Sequence, residues 1–169
     1  MKKQLLLAAL ALSVGAAGAI AQNAIPFKVE IGKYEEEFIV SDNTATNSRV
    51  MNSFNKMFAD ASNVKWSKGE RKYARVYFES KGKATRATFN HRGQLLYSIT
   101  TYGEELLPEP VLMQVKRAYF GRSIFGVTEV SVMDKTAYLI ILQDKTTWLH
   151  IKVVDGEIEE TLLLRRADL

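Results

Sequence analysis

Apolar and polar residues alternate with a period of two along most of this chain, and in two places the spacing becomes helical. Ile25, Phe27, Val29 and Ile31 alternate with polar neighbours and predict an N-terminal strand, with Phe38-Ile39-Val40 as a second. Pro26 falls early enough in that run to be tolerated. The polar stretch Ser41 to Asn47 predicts a loop. Asn47 or Ser48 can then cap a helix whose apolar positions are Val50, Met51, Phe54, Met57, Phe58 and Ala61. Strands are predicted over 64–66, 72–79, 84–89 and 95–102, punctuated by the turns Ser80-Lys81-Gly82 and His91-Arg92-Gly93. A second helix is predicted from near Pro110 to Phe120, with Val111, Leu112, Val115, Ala118 and Tyr119 on its apolar side and Gly121 as terminator. Four more strands follow over 127–133, 136–143, 147–154 and 158–164, the last two joined through Asp155-Gly156.

A helix followed by four strands thus occurs twice. Superposing Tyr73 on Tyr138 puts Val76 on Ile141 and brings the Gly93 turn near the Asp155-Gly156 turn, which predicts a duplicated supersecondary unit. The expected fold is α+β, a tandem repeat of helix plus antiparallel meander. The expected domains are a signal over 1–21, an N-terminal strand and loop segment over 22–46, and a folded domain over 47–169 with halves 47–106 and 107–169.

The first 21 residues carry Lys2 and Lys3, an apolar run from Leu5 to Val14, and small residues ending at Ala19-Ile20-Ala21. That order predicts a signal peptide cleaved between Ala21 and Gln22, because the run is shorter than the roughly twenty residues a membrane-spanning helix needs. The product is expected in the periplasm or secreted, with no membrane insertion after cleavage. With no cysteine in the chain, it can carry neither a disulfide nor an acylated cysteine. The formal charge of +4 falls once Lys2 and Lys3 leave, and the remaining basic pairs are scattered among acids. Nucleic acid is therefore not an expected partner.

Several segments together resemble the small exported proteins called PepSY-like or beta-lactamase-inhibitor-like (BLIP-like). In the first half they are Asn63-Val64-Lys65-Trp66, Tyr73-Ala74-Arg75-Val76-Tyr77-Phe78, Ala87-Thr88-Phe89-Asn90 with Gly93, Leu95-Leu96-Tyr97, and Leu107-Pro108. In the second they are Val115-Lys116 with Tyr119 and Gly121, Val127 with Glu129-Val130, and Trp148 with Ile151, Val153 and Gly156. The resemblance covers roughly Val50 to Thr161. It implies one sheet with helices packed on one face and a concave open face, no catalytic residues, and a protein or peptide partner in the cell envelope, in some cases a hydrolase or peptidase that is modulated. Inhibitors of that type carry disulfides, which this chain lacks.

Motifs for chemistry are absent. His91 and His150 are the two histidines, and neither has a second ligand at metal-binding spacing. No nucleophile elbow, zinc-protease helix or phosphate-binding glycine loop occurs. No cofactor, metal or catalytic residue is therefore expected. The alternatives are a small hydrolase using His150 or the acidic clusters Glu35-Glu36-Glu37, Glu104-Glu105 and Glu157 with Glu159-Glu160, and a small-ligand carrier. More informative is the sheet face turned from the helices. If Ala74, Val76 and Phe78 face a helix, the two-residue period turns Tyr73, Arg75 and Tyr77 away. The same reasoning turns Trp148, His150 and Lys152 outward, and the superposed halves add Tyr138 and Ile140, with Arg86 and Tyr102 as neighbours. These ten are the expected partner-binding residues, since tyrosine, tryptophan and arginine are the residues of binding hot spots. Trp66 and Phe89 are expected in the core.

Overall fold

The computed structural model describes residues 38–39, 47–67 and 73–166. The expected signal and its cleavage site, the strand from Ile25 and most of the loop before Asn47 lie outside these residues. The elements run β1 (Phe38–Ile39), α1 (Ser48–Met57), β2 (Ser62–Ser67), β3 (Tyr73–Ser80), β4 (Lys83–Asn90) and β5 (Leu95–Tyr102). A single 3-10 turn (Glu104–Leu106) leads to α2 (Glu109–Ala118), then β6 (Ser123–Val132), β7 (Lys135–Gln143), β8 (Thr147–Val154) and β9 (Glu157–Arg165).

All nine strands among the described residues form one sheet in strict chain order, β1 to β9, each antiparallel to the next. This overturns the expectation of an α+β tandem repeat built from two helix-plus-meander halves. Among the described residues the protein is mostly sheet, with two ten-residue helices. The ladder also runs unbroken across the supposed boundary, from Ser98↔Ser131 to Tyr102↔Val127 between β5 and β6. The superposition behind the repeat fails on side-chain direction. It places Val76, which is fully buried in a helix-side cluster, on Ile141, which pairs with His150 on the other side of the sheet.

Two apolar clusters hold the helices. In the first, Val50 and Phe54 of α1 pack on Trp66, Val76, Phe78, Ala87 and Phe89, so Trp66 and Phe89 are core. Phe54 meets Trp66, Phe78 and Phe89 edge-on, with ring centres 5.3, 5.2 and 6.4 Å away, a geometry that favours aromatic pairs. In the second, Val115 of α2 packs with Ile124, Val127, Ile140, Leu142, Leu149, Ile151 and Val153. Asn47 caps α1 by accepting the Arg49 N–H at 2.9 Å, and its amide donates to the His91 carbonyl at 3.0 Å. That second bond ties the helix start to the turn between β4 and β5. Gly93, with φ at +83°, completes the turn against the helix: a Cβ there would lie 2.6 Å from Ser53 Oγ and 2.8 Å from the Arg49 carbonyl oxygen.

Candidate functional site

Residues directly opposed in an antiparallel ladder point to the same side, and neighbours along a strand point to opposite sides. Phe78, Thr85, Thr100, Glu129, Tyr138 and Val153 form one such cross-strand line. Phe78 belongs to the cluster under α1 and Val153 to that under α2, so both helices lie on this side of the sheet. One residue away, Tyr77, Arg86, Ile99, Val130, Ala137 and Val154 form a line that points away from both helices.

This register sorts the ten expected residues. Tyr73, Arg75, Tyr77, Arg86, Trp148, His150 and Lys152 lie on the face that is helix-free among the described residues. Tyr102, Tyr138 and Ile140 lie on the helix side. Ile140 is 1% exposed and packed in the core, which corrects its placement on an open face. The cause is the one-residue error in superposing the halves, which flips every side chain of β7. Lys152 keeps its side of the sheet but is 9% exposed, its ammonium paired with Glu159. Tyr73, at 43%, and Arg86 are the exposed members of the set.

At the β8 end of this face the structure adds a residue that the pattern reading missed. Phe125 is 59% exposed and stands edge-on to Trp148, ring centres 4.5 Å apart. The Arg166 guanidinium lies over the Trp148 ring, 5.5 Å from its centre, within cation–π range. Leu164 is paired across from Trp148, and Leu162 across from His150. The turn between β7 and β8 fixes this corner. Asp144 accepts the backbone N–H groups of Thr146 and Thr147 at 2.8 and 2.7 Å and the Thr147 hydroxyl at 2.8 Å. It also pairs with Arg122 at 3.0 Å. The backbone N–H of Thr146 and the Thr147 hydroxyl are the main reasons that its carboxyl is held well below the usual carboxylate range. The backbone N–H of Arg166 donates to the Thr146 carbonyl at 2.7 Å, so one acidic side chain organises the strand ends that carry Trp148 and Arg166.

On the helix side, Tyr102 donates to Glu129 at 2.6 Å, and Lys83 lies 3.9 Å from the same carboxylate and 4.1 Å over the Tyr102 ring. Burial first, and then the Glu129 carboxylate, raise the Tyr102 phenol far above its ordinary value; Tyr138 is raised for the same two reasons. Both phenols remain protonated, and Tyr102 acts as a hydrogen-bond donor. With Thr85 and Thr100, whose hydroxyls meet at 3.2 Å, they form a polar seam on the helix side of the sheet.

Of the residues of the hydrolase alternative, Glu35, Glu36 and Glu37 lie outside the described residues, and the others are dispersed. Burial holds His150 below its ordinary value, and its strand neighbours are Ile141 and Leu162. Glu104 pairs with Lys116 at 2.6 Å and Glu160 accepts from Tyr119 at 3.1 Å. For the carrier alternative, a surface hollow beside the Asp144 turn is lined by Gly121, Ser123, Gln143, Lys145 and Arg166, with polar and apolar surface in nearly equal parts.

No protein-family model and no curated protein matches the chain. Solved structures do. A DUF2874 family protein from Bacteroides ovatus aligns with a TM-score of 0.53 at 19% identity, over 71% of this chain and 89% of that one. A BLIP-like protein from Bacteroides fragilis aligns with a TM-score of 0.53 at 14% identity, over 76% of this chain and 95% of that one. A protein from Bacteroides eggerthii described as a candidate periplasmic protein gives 0.51 at 18% identity, over 71% and 88%. The fold is thus like that of BLIP-like and DUF2874 proteins. Among the described residues no helix is long and apolar enough to cross a membrane.

Proposed function

We propose that this chain is an exported, non-catalytic binding module that holds a protein or peptide of the cell envelope on its helix-free sheet face. The observation that carries the reading is the composition of that face. Tyr73, Arg75, Tyr77 and Arg86 lie at one end and Phe125, Trp148 and Arg166 at the other, on strands whose opposite side is anchored by two helices. Rings and guanidinium groups on a rigid sheet give large contact area at small entropic cost. Likeness of fold to a BLIP-like protein and to a candidate periplasmic protein supports both a binding role and a place in the periplasm or outside the cell. Kinship with PepSY-like modules, and modulation of a hydrolase or peptidase, are the finer form of the same reading.

The test is capture from envelope extract by the purified chain, repeated with Tyr73→Ala/Trp148→Ala. Loss of an anchoring aromatic costs about 2 kcal/mol or more, roughly thirtyfold in affinity, so the captured band should vanish while circular dichroism stays unchanged. Equal capture by the doubly substituted chain refutes this surface.

A further inference from the structure

We propose that β9 is a self-pairing edge, through which two copies of this chain join antiparallel into one continuous sheet. The two ends of the sheet are unlike. At one end the described part of the sheet stops at β1. At the other, β9 has nine residues, and among the described residues no strand lies beyond it. Its C-terminal part is apolar on both sides: Leu162, Leu163 and Leu164 are 39%, 60% and 44% exposed. A long exposed edge of this kind is a template for another strand.

The charges identify that strand. Glu157, Glu159 and Glu160 precede the leucines, and Arg165 and Arg166 follow them. When two copies meet antiparallel about the leucines, Glu159 and Glu160 of each lie along Arg165 and Arg166 of the other. Parallel pairing sets like charge beside like, which disfavours it. A second copy supplies both complementary halves at once, with its apolar centre in register between them. The irregularity in β9 opposite His150 and Ile151 is fixed from the inner side, where the Thr161 hydroxyl donates to the His150 carbonyl at 3.0 Å. The two-fold axis of such a pair stands perpendicular to the sheet, so both helix-free faces come to the same side.

Sedimentation equilibrium of the full chain at low salt tests this, over a concentration series. The chain should sediment as a concentration-dependent dimer. Glu160→Lys and Arg165→Glu/Arg166→Glu should each raise the dimer dissociation constant by roughly tenfold or more, since every altered charge acts twice across the two-fold. Their equimolar mixture should form a heterodimer about as tight as the native pair, because a positive strand then faces a negative one. Arg165→Glu alone, which leaves Arg166 over Trp148, and Leu163→Lys, which alters no charge pair of the fold, should weaken the dimer too. A native chain that stays monomeric at the highest concentration overturns the proposal. So does a dimer indifferent to both charge reversals, or a mixture no tighter than its separate components.

Discussion

At the scale of single residues, the clearest consequences come from Gly93 and His150. Gly93→Ala puts a methyl group into left-handed backbone and against the Arg49 carbonyl, so it should destabilise the fold by about 1–3 kcal/mol, read as a shift in the urea midpoint. His150 gives a pH signature. Burial disfavours its charged form, so its folded value lies below the ordinary 6.5 that the unfolded chain keeps. Above that value both states are neutral and the residue has no effect. As pH drops through it the unfolded chain takes up the proton first, stability falls, and the fall ends once pH is below the folded value. The native chain should therefore lose stability as pH falls below 6.5, and His150→Gln should remove that slope in urea titrations. Asp144 acts in a lower window: its carboxyl is depressed, so its stabilisation is complete above 3.8 and is lost as pH falls below that value. Residue direction was legible in the sequence wherever one strand was read on its own alternation, as with Tyr73, Arg75 and Tyr77. It was misread at Tyr138 and Ile140, where direction was borrowed from another strand through a superposition one residue out of step.

At the scale of elements, the amphipathic spacing and the Asn47 cap made α1 legible, although it ends at Met57, short of the apolar position at Ala61. Its anchor is Phe54, 3% exposed and against four rings. Phe54→Ala should cost about 3–5 kcal/mol, visible as a large fall in the thermal midpoint, whereas Met57→Ala on the outer surface should change it little. β6 was half legible. Its alternation from Val127 onward is regular, but the ladder shifts between Ile124 and Gly126, so the first turn of pattern is broken and glycine weakens the strand signal. Phe125 sits in that irregular stretch, which is why the ring beside Trp148 escaped a reading based on period.

At the scale of the whole molecule, strand-by-strand pattern cannot say whether a ladder stops between two similar stretches or continues through them. Here β5 and β6 pair along five residues, so the chain builds one sheet rather than two repeated halves. Continuity has a functional consequence: the tyrosine–arginine end on β3 and β4 and the Phe125–Trp148 end share one rigid face, with the helices confined to the other. A partner held by that face should bridge both ends. The most direct test is oxidative footprinting of the chain with and without its captured partner. Tyr73, Phe125 and Trp148 should become protected, while Met57 and Met113, exposed on the two helices, should keep their reactivity. Protection of those methionines with Tyr73 and Trp148 unchanged would place the partner on the helix side and contradict the account.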